Sequence, residues 1–275
     1  MLVAAALIPP TALLVPGASG ATPVLGVERA AAVAAATGVR AARPEVVVVV
    51  APGRSPGRHA VGRLRPSLGA VGLDDARLGW PPRPSHGRGP AVVVDDPSAA
   101  VGLLLLDRAG WTGPAEVVTL TDVDPVALGT LGADLVRGRN AALLLVGGLS
   151  ARRGPDGPLE RDERAALFDD AAVSDLVDLG PAARARLAAV PRDLAVQLDV
   201  SAWAPWQVLL GAVAASDEPT AAGTDDPASD RVPEVAPAGV TPPTPAASGR
   251  APAVVRHHVS APFGATYASI SWRWR

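Results

Sequence analysis

The sequence predicts an α/β fold: a central, mostly parallel sheet with helices on both faces and a C-terminal strand pair. Three observations carry that prediction. Short aliphatic runs recur along the chain, and the clearest is Val46 to Val50, five consecutive valines ended by Pro52-Gly53. A run this short, apolar at every residue and not at every second one, is a strand covered on both faces. Helix-like stretches lie between the runs, and such alternation implies parallel strands joined by helical crossovers. Finally, hydrophobic residues make up 48% of 275 residues, ample for a core of this kind.

In chain order, Leu2 to Ile8 reads as a first buried strand. A signal peptide competes for the same residues, because Met1 to Val15 is apolar and Ala18-Ser19-Gly20-Ala21 resembles a cleavage site. The run has no preceding arginine, however, and Pro9-Pro10 interrupts it, so the strand is preferred. Val27 to Ala42 is an Ala-rich helix. Pro52 to Pro90 is rich in Gly, Pro and Arg without regular pattern, which marks a functional or disordered loop. Ala91 to Val94, Glu116 to Leu120 and Ala141 to Val146 share the character of the valine run. Asp95-Asp96-Pro97 opens a helix over Ser98 to Arg108, and Asp124 opens another over Pro125 to Arg137.

The C-terminal half is more helical, over Leu159 to Leu179, Pro181 to Val190 and Trp203 to Ala215. Trp203 and Trp206 bracket Pro205 and read as packing at a helix start. Ser216 to Pro252 is rich in Pro, Ala, Thr and Asp with almost no large apolar residues, and is expected to be disordered. Ala253 to Ser260 and Ala265 to Trp274 return as two strands. The predicted organisation is one α/β domain over 1–215, an insertion over 216–252, and strands over 253–275 that complete the domain.

Composition removes several classes of function. The net charge of -2 offers no basic surplus for nucleic acid or an acidic membrane surface. No apolar stretch reaches the ~20 residues of a membrane span. The chain has no lysine, which excludes Schiff-base chemistry and a phosphate-loop lysine. It has no cysteine, which excludes disulfides, thiolate nucleophiles and Cys-ligated metal centres. These features agree with a cytoplasmic protein.

Two Gly-containing turns follow predicted strands. Gly53-Arg54-Ser55-Pro56-Gly57-Arg58 lacks the spacing of a dinucleotide or phosphate loop and reads as a strand-to-loop turn. Gly147-Gly148-Leu149-Ser150-Ala151-Arg152 approaches a nucleophile elbow, but Arg152 stands where the last glycine belongs. A serine hydrolase built on Ser150, a later Asp and His257 or His258 is therefore one reading of the chain. Arg152 and Arg153 beside this turn suggest a second, an anion site in which Gly147 and Gly148 let the main chain approach a carboxylate or phosphate. The competing expectation is that these arginines pair with Asp156, Glu160 or Asp162.

Several segments taken in order resemble the subunit-B family of class III extradiol ring-cleavage dioxygenases. Ile8-Pro9-Pro10-Thr11-Ala12-Leu13-Leu14-Val15-Pro16 resembles the family's opening Pro-His-Pro-Pro-Leu-Leu-Val-Pro. Val46 to Gly53 resembles its strand ending in Ser-Pro-His, and Leu144 to Arg152 its Gly-Asp-Leu-Ser-His-Arg. The likeness continues through Asp162-Glu163-Arg164 with Phe168-Asp169, then Ala204 to Ala212, and closes on Ala261-Pro262-Phe263-Gly264-Ala265-Thr266-Tyr267. The resemblance implies a non-haem Fe(II) site at the carboxyl ends of parallel strands, with two histidines, a carboxylate and a further histidine as acid or base.

The sequence departs from that pattern where the chemistry would lie. Pro10 and Gly53 stand at the two histidine positions, Gly148 replaces the Asp, and Ala151 replaces the later histidine. None of these side chains can hold a metal, so no cofactor is expected. The leading expectation is a metal-free relative that keeps a cleft for a small anionic or aromatic ligand or a protein partner, drawing on Gly53, His59, Gly147, Gly148, Ser150, Arg152 and Arg153. The alternative is an active Fe(II) dioxygenase with relocated ligands, His59 and His258. His86 lies in the same loop as His59, and His257 adjoins His258, so on a strand only one of that pair can face a cleft.

Overall fold

The structure, a computed structural model, describes residues 1–22, 24–53, 57–59 (main chain alone), 62–80, 91–121, 124–217 and 252–274. Its strands are β1 (Leu2–Ile8), β2 (Val46–Pro52), β3 (Gly57–His59), β4 (Leu64–Pro66), β5 (Val92–Val94), β6 (Ala115–Leu120), β7 (Ala141–Val146), β8 (Ala253–Ser260) and β9 (Tyr267–Arg273). Its helices are α1 (Gly26–Ala41), α2 (Pro97–Arg108), α3 (Pro125–Val136), α4 (Ala165–Asp178), α5 (Pro181–Ala188), α6 (Arg192–Gln197) and α7 (Trp203–Asp217).

A seven-stranded sheet runs in the order β3-β6-β2-β7-β1-β9-β8. β6, β2, β7 and β1 are parallel, while β3 joins one side and β9 and β8 the other as antiparallel neighbours. The valine run is fully covered because it lies between β6 and β7. Val46, Val48 and Val50 pack into the layer of α3, α4, α5 and α7, and Val47, Val49 and Ala51 into the layer of α1 and α2. From β1 to β2 the chain passes over β7 on the α1 face. From β6 to β7 it passes back over β2 on the α3 face. Reversing direction and face together preserves the hand of the crossover. The expected α/β architecture and C-terminal strand pair are present.

The caps read from the sequence form as drawn. Asp96 accepts the N–H groups of Ser98 and Ala99 at 3.1 and 3.2 Å, and Asp124 accepts that of Ala127 at 3.2 Å. Leu2 to Ile8 is an interior strand, and Trp203 and Trp206 are buried in the core.

Several expectations are corrected. The valines of β5 do not enter the central sheet: β5 pairs with β4 in a separate two-stranded sheet, leaving Val92 and Val93 47% and 44% exposed. A β-branched run specifies a strand but not which edge it joins. The stretch 52–90, read as patternless, contributes β3 to the main sheet and β4 to the small one. α4 begins at Ala165 rather than Leu159, because Asp162 accepts the N–H of Arg164 on its side chain and that of Ala165 on its carbonyl. Helix α6 was not anticipated. At the insertion expected over 216–252, Ser216 and Asp217 instead close α7: the Ser216 hydroxyl accepts the Leu2 N–H at 2.8 Å, and Asp217 pairs with Arg184. Residues 218–251 of that insertion lie outside the described residues. Among the described residues, no helix is long and apolar enough to cross a membrane.

Candidate functional site

The fold brings the carboxyl ends of β2, β7 and β1 side by side, the region where open α/β sheets bind ligands. Gly53 directly follows β2, and Pro10 and Gly148 stand two residues beyond β1 and β7. Gly147 donates its N–H to the Ile8 carbonyl at 2.9 Å, and Gly53 donates to Leu120 at 2.8 Å, so the sheet hydrogen bonding extends into both turns. A Cβ on Gly148 would stand 3.5 Å from Pro10 Cδ, so these two sites of departure adjoin.

The residues at this edge do not fit a metal of the kind the resemblance implies. Proline, glycine and alanine at 10, 53, 148 and 151 offer no donor atom. Position 53 has also closed around its glycine: a Cβ there would lie 2.6 Å from Thr119 Cβ and 3.3 Å from Asp96 Oδ2. Asp96 meanwhile caps α2. Beside β7 the segment leading into α7 occupies the space. Gly148 donates to Ser201 Oγ at 2.9 Å and accepts from Ala202 N–H at 2.9 Å, and a Cβ on Gly147 would overlap the main chain of Ala202.

The two histidines of the relocated ligand pair lie far apart. His59 lies on β3, opposite Val117, and His258 on β8, opposite Ser269. These strands are the two edges of the seven-stranded sheet. Six inter-strand steps of about 4.8 Å separate them by roughly 29 Å, whereas both nitrogens must lie about 2 Å from a shared ion. The side chain of His59 and all of His86 lie outside the described residues. His257 is exposed on β8.

Ser150 is fully buried, and every polar group it carries is engaged. Its Oγ donates to the Leu198 carbonyl at 2.8 Å and accepts the Arg152 N–H at 3.0 Å. Its N–H goes to Asp169 Oδ1 at 2.9 Å, and its carbonyl accepts from Thr266 N–H at 3.0 Å. This is the geometry of a structural node, where a nucleophile needs an exposed hydroxyl on a general base. Asp169 is the other half of the node. It is fully buried in α4 and also accepts the Thr266 hydroxyl at 2.5 Å. Burial pushes its carboxyl above the usual range, against the opposing pull of Thr266, the Ser150 N–H and Arg153. Three of the resemblance segments therefore meet at one buried point through Ser150, Asp169 and Thr266.

The arginines beside the turn face the protein. Arg153 pairs with Asp170 at 2.9 Å and lies 3.8 Å from Asp169. Arg152 donates to the Glu160 carbonyl at 3.1 Å. The partners of Arg153 are thus carboxylates of α4, not the loop acids the sequence suggested. Asp162 is instead gripped by Arg164 at 2.7 Å, which lowers its pKa to about 2.

Sequence reasoning missed a cleft of about 250 Å³ at the carboxyl ends of β2 and β6. Pro52, Leu120, Thr121, Val200, Ser201 and Trp203 contribute to its walls, and Arg192 and Asp199 bring the charges. Its helical wall, α6 and the start of α7, carried no motif to mark it. The Asp169 node was legible in principle, because Ala165, Asp169, Ala172 and Leu176 fall at helical spacing on one buried face.

No family model matches this chain, and no curated protein matches it. Among solved structures it is similar to the crystal structure of the uncharacterized protein JW3007 from Escherichia coli K12, at 13% identity and a TM-score of 0.50. The match covers 98% of this chain and 99% of that one, and at this identity it speaks to fold alone.

Proposed function

We propose that this chain is a metal-free relative of the class III extradiol dioxygenases, whose cleft at the strand carboxyl ends holds a small molecule without oxygen chemistry. One observation carries the reading: positions 10, 53, 148 and 151 present no donor atom, and position 53 has no room for a side chain. A site that had merely exchanged one ligand for another would keep space for a replacement. The cleft beside it supports a binding role. Trp203, Leu120 and Val200 suit an aromatic or aliphatic body, and Arg192 suits a carboxylate on it. The buried Ser150 and the separation of His59 from His258 argue against the hydrolase and relocated-iron readings.

The test is metal content by elemental mass spectrometry after anaerobic Fe(II) incubation and desalting, alongside a catechol ring-cleavage assay. The expected result is no retained iron and no ring-opened product. Iron near one per chain, or turnover of a catechol, would overturn the reading.

A further inference from the structure

At the opposite end of the sheet lies a feature that the proposed cleft does not use. An open cavity of about 610 Å³ is lined by Arg40, Ala41, Arg43 and Pro44 at the end of α1, and by the segment from Gly110 to Gly113 after α2. It sits at the amino ends of β2 and β6. No carboxylate is among its described lining residues, and among the described residues neither the Arg40 nor the Arg43 side chain has a hydrogen-bond or ion-pair partner. Several arginines elsewhere are neutralised by a carboxylate: Arg139 pairs with Glu116, Arg153 with Asp170, Arg164 with Asp162, Arg184 with Asp217 and Arg186 with Asp175.

Two details separate this pair from ordinary surface charge. Arg43 holds φ at 52°, in the left-handed region just past the helix end, where glycine is the usual occupant. An arginine there accepts a conformational cost that glycine avoids. Gly110, at φ 80°, leaves the space that Arg40 uses: a Cβ on it would lie 2.9 Å from Arg40 Nη1. Beside them Trp111 is half-buried, and its indole N–H donates to the Pro114 carbonyl at 3.2 Å, which fixes the ring.

We propose that Arg40, Arg43 and Trp111 form a binding site for a small phosphorylated organic molecule. Two unpaired guanidiniums match phosphoryl oxygens, the indole offers a surface for a planar body, and the cavity lies within the roughly 300–1,000 Å³ of small-molecule sites. The site stands independently of the cleft at the other end of the sheet.

The experiment is calorimetric titration of the full chain with AMP at low ionic strength. Saturable one-site binding is expected. Arg40→Gln and Arg43→Gln should each weaken it about tenfold with unchanged melting temperature, since one charge-assisted contact is worth about that factor. Arg256→Gln, which removes the same charge from an exposed position on β8, should leave it unchanged. Absence of saturable binding, or equal weakening by Arg256→Gln, would overturn the assignment.

Discussion

The Thr266 hydroxyl donates to the Asp169 carboxylate across 2.5 Å in the buried interior, tying the turn before β9 to α4. The same carboxylate receives the Ser150 N–H, so one residue links three distant segments. Asp169→Ala should therefore cost about 3 kcal/mol in denaturant unfolding, because it strands two buried donors. Asp169→Asn keeps an acceptor for Ser150 and should cost less. The pH dependence has a definite sign. Burial raises the folded-state pKa of Asp169 above its ordinary 3.8. Its stability contribution is then fully present below that ordinary value and is lost as pH rises through the folded-state value. The advantage of wild type over Asp169→Asn should shrink as pH rises above 3.8. An advantage that grows over that range would show that the carboxylate, not the carboxylic acid, is the favoured form.

Helices α3 and α7 touch through glycine. A Cβ on Gly132 would overlap the Val208 carbonyl, and one on Gly211 would overlap Gly129. Main chain cannot yield as a flexible side chain can, so the helices must separate. Gly132→Ala and Gly211→Ala are each expected to cost about 2–3 kcal/mol, although alanine favours helix by up to about 1 kcal/mol. Thermal unfolding of the two variants measures this, and a neutral or stabilised variant would contradict so close a contact.

Much of the fold was legible because local rules and tertiary context agree. The valine run declared itself as β2, and Asp96 and Asp124 declared the starts of α2 and α3. What was not legible is non-local. Nothing in Val92 and Val93 says that their partner is β4 and not the main sheet. The site was legible in part. Missing donors at Pro10, Gly53 and Ala151 could be read directly, but the closure of position 53 depends on Thr119 in another strand. The buried state of Ser150 depends on Asp169, Leu198 and Thr266, brought together only by folding. The resemblance located these residues without revealing that they hold the fold together.

Glu116 on β6 and Arg139 after α3 form a two-pronged pair at 2.7 and 3.2 Å, with Glu116 buried. Arg139→Met should cost about 2 kcal/mol, because it removes two charge-assisted hydrogen bonds from a buried carboxylate. Glu116→Gln should cost less, and the double variant should be less unstable than the sum of the two. Additive losses in urea unfolding of the four-protein cycle would show that the two residues act independently.

Placing a histidine at position 53 separates a cleft that lacks a ligand from one that has closed. The contact that blocks it is Thr119 Cβ, 2.6 Å from where a new Cβ would stand. A Cβ moves only with its own main chain, and Thr119 is anchored in β6 between β2 and β3. No change of rotamer makes room, so β2 and β6 must part at their carboxyl ends. Gly53→His should therefore destabilise the protein by about 2–3 kcal/mol. Pro10→His with Gly53→His should still retain no iron after anaerobic loading. Pairing Gly53→His with Thr119→Gly removes the obstructing atom and should recover much of the lost stability. If Gly53→His alone were as stable as wild type, position 53 would be open, and the glycine there would say nothing about closure of the site.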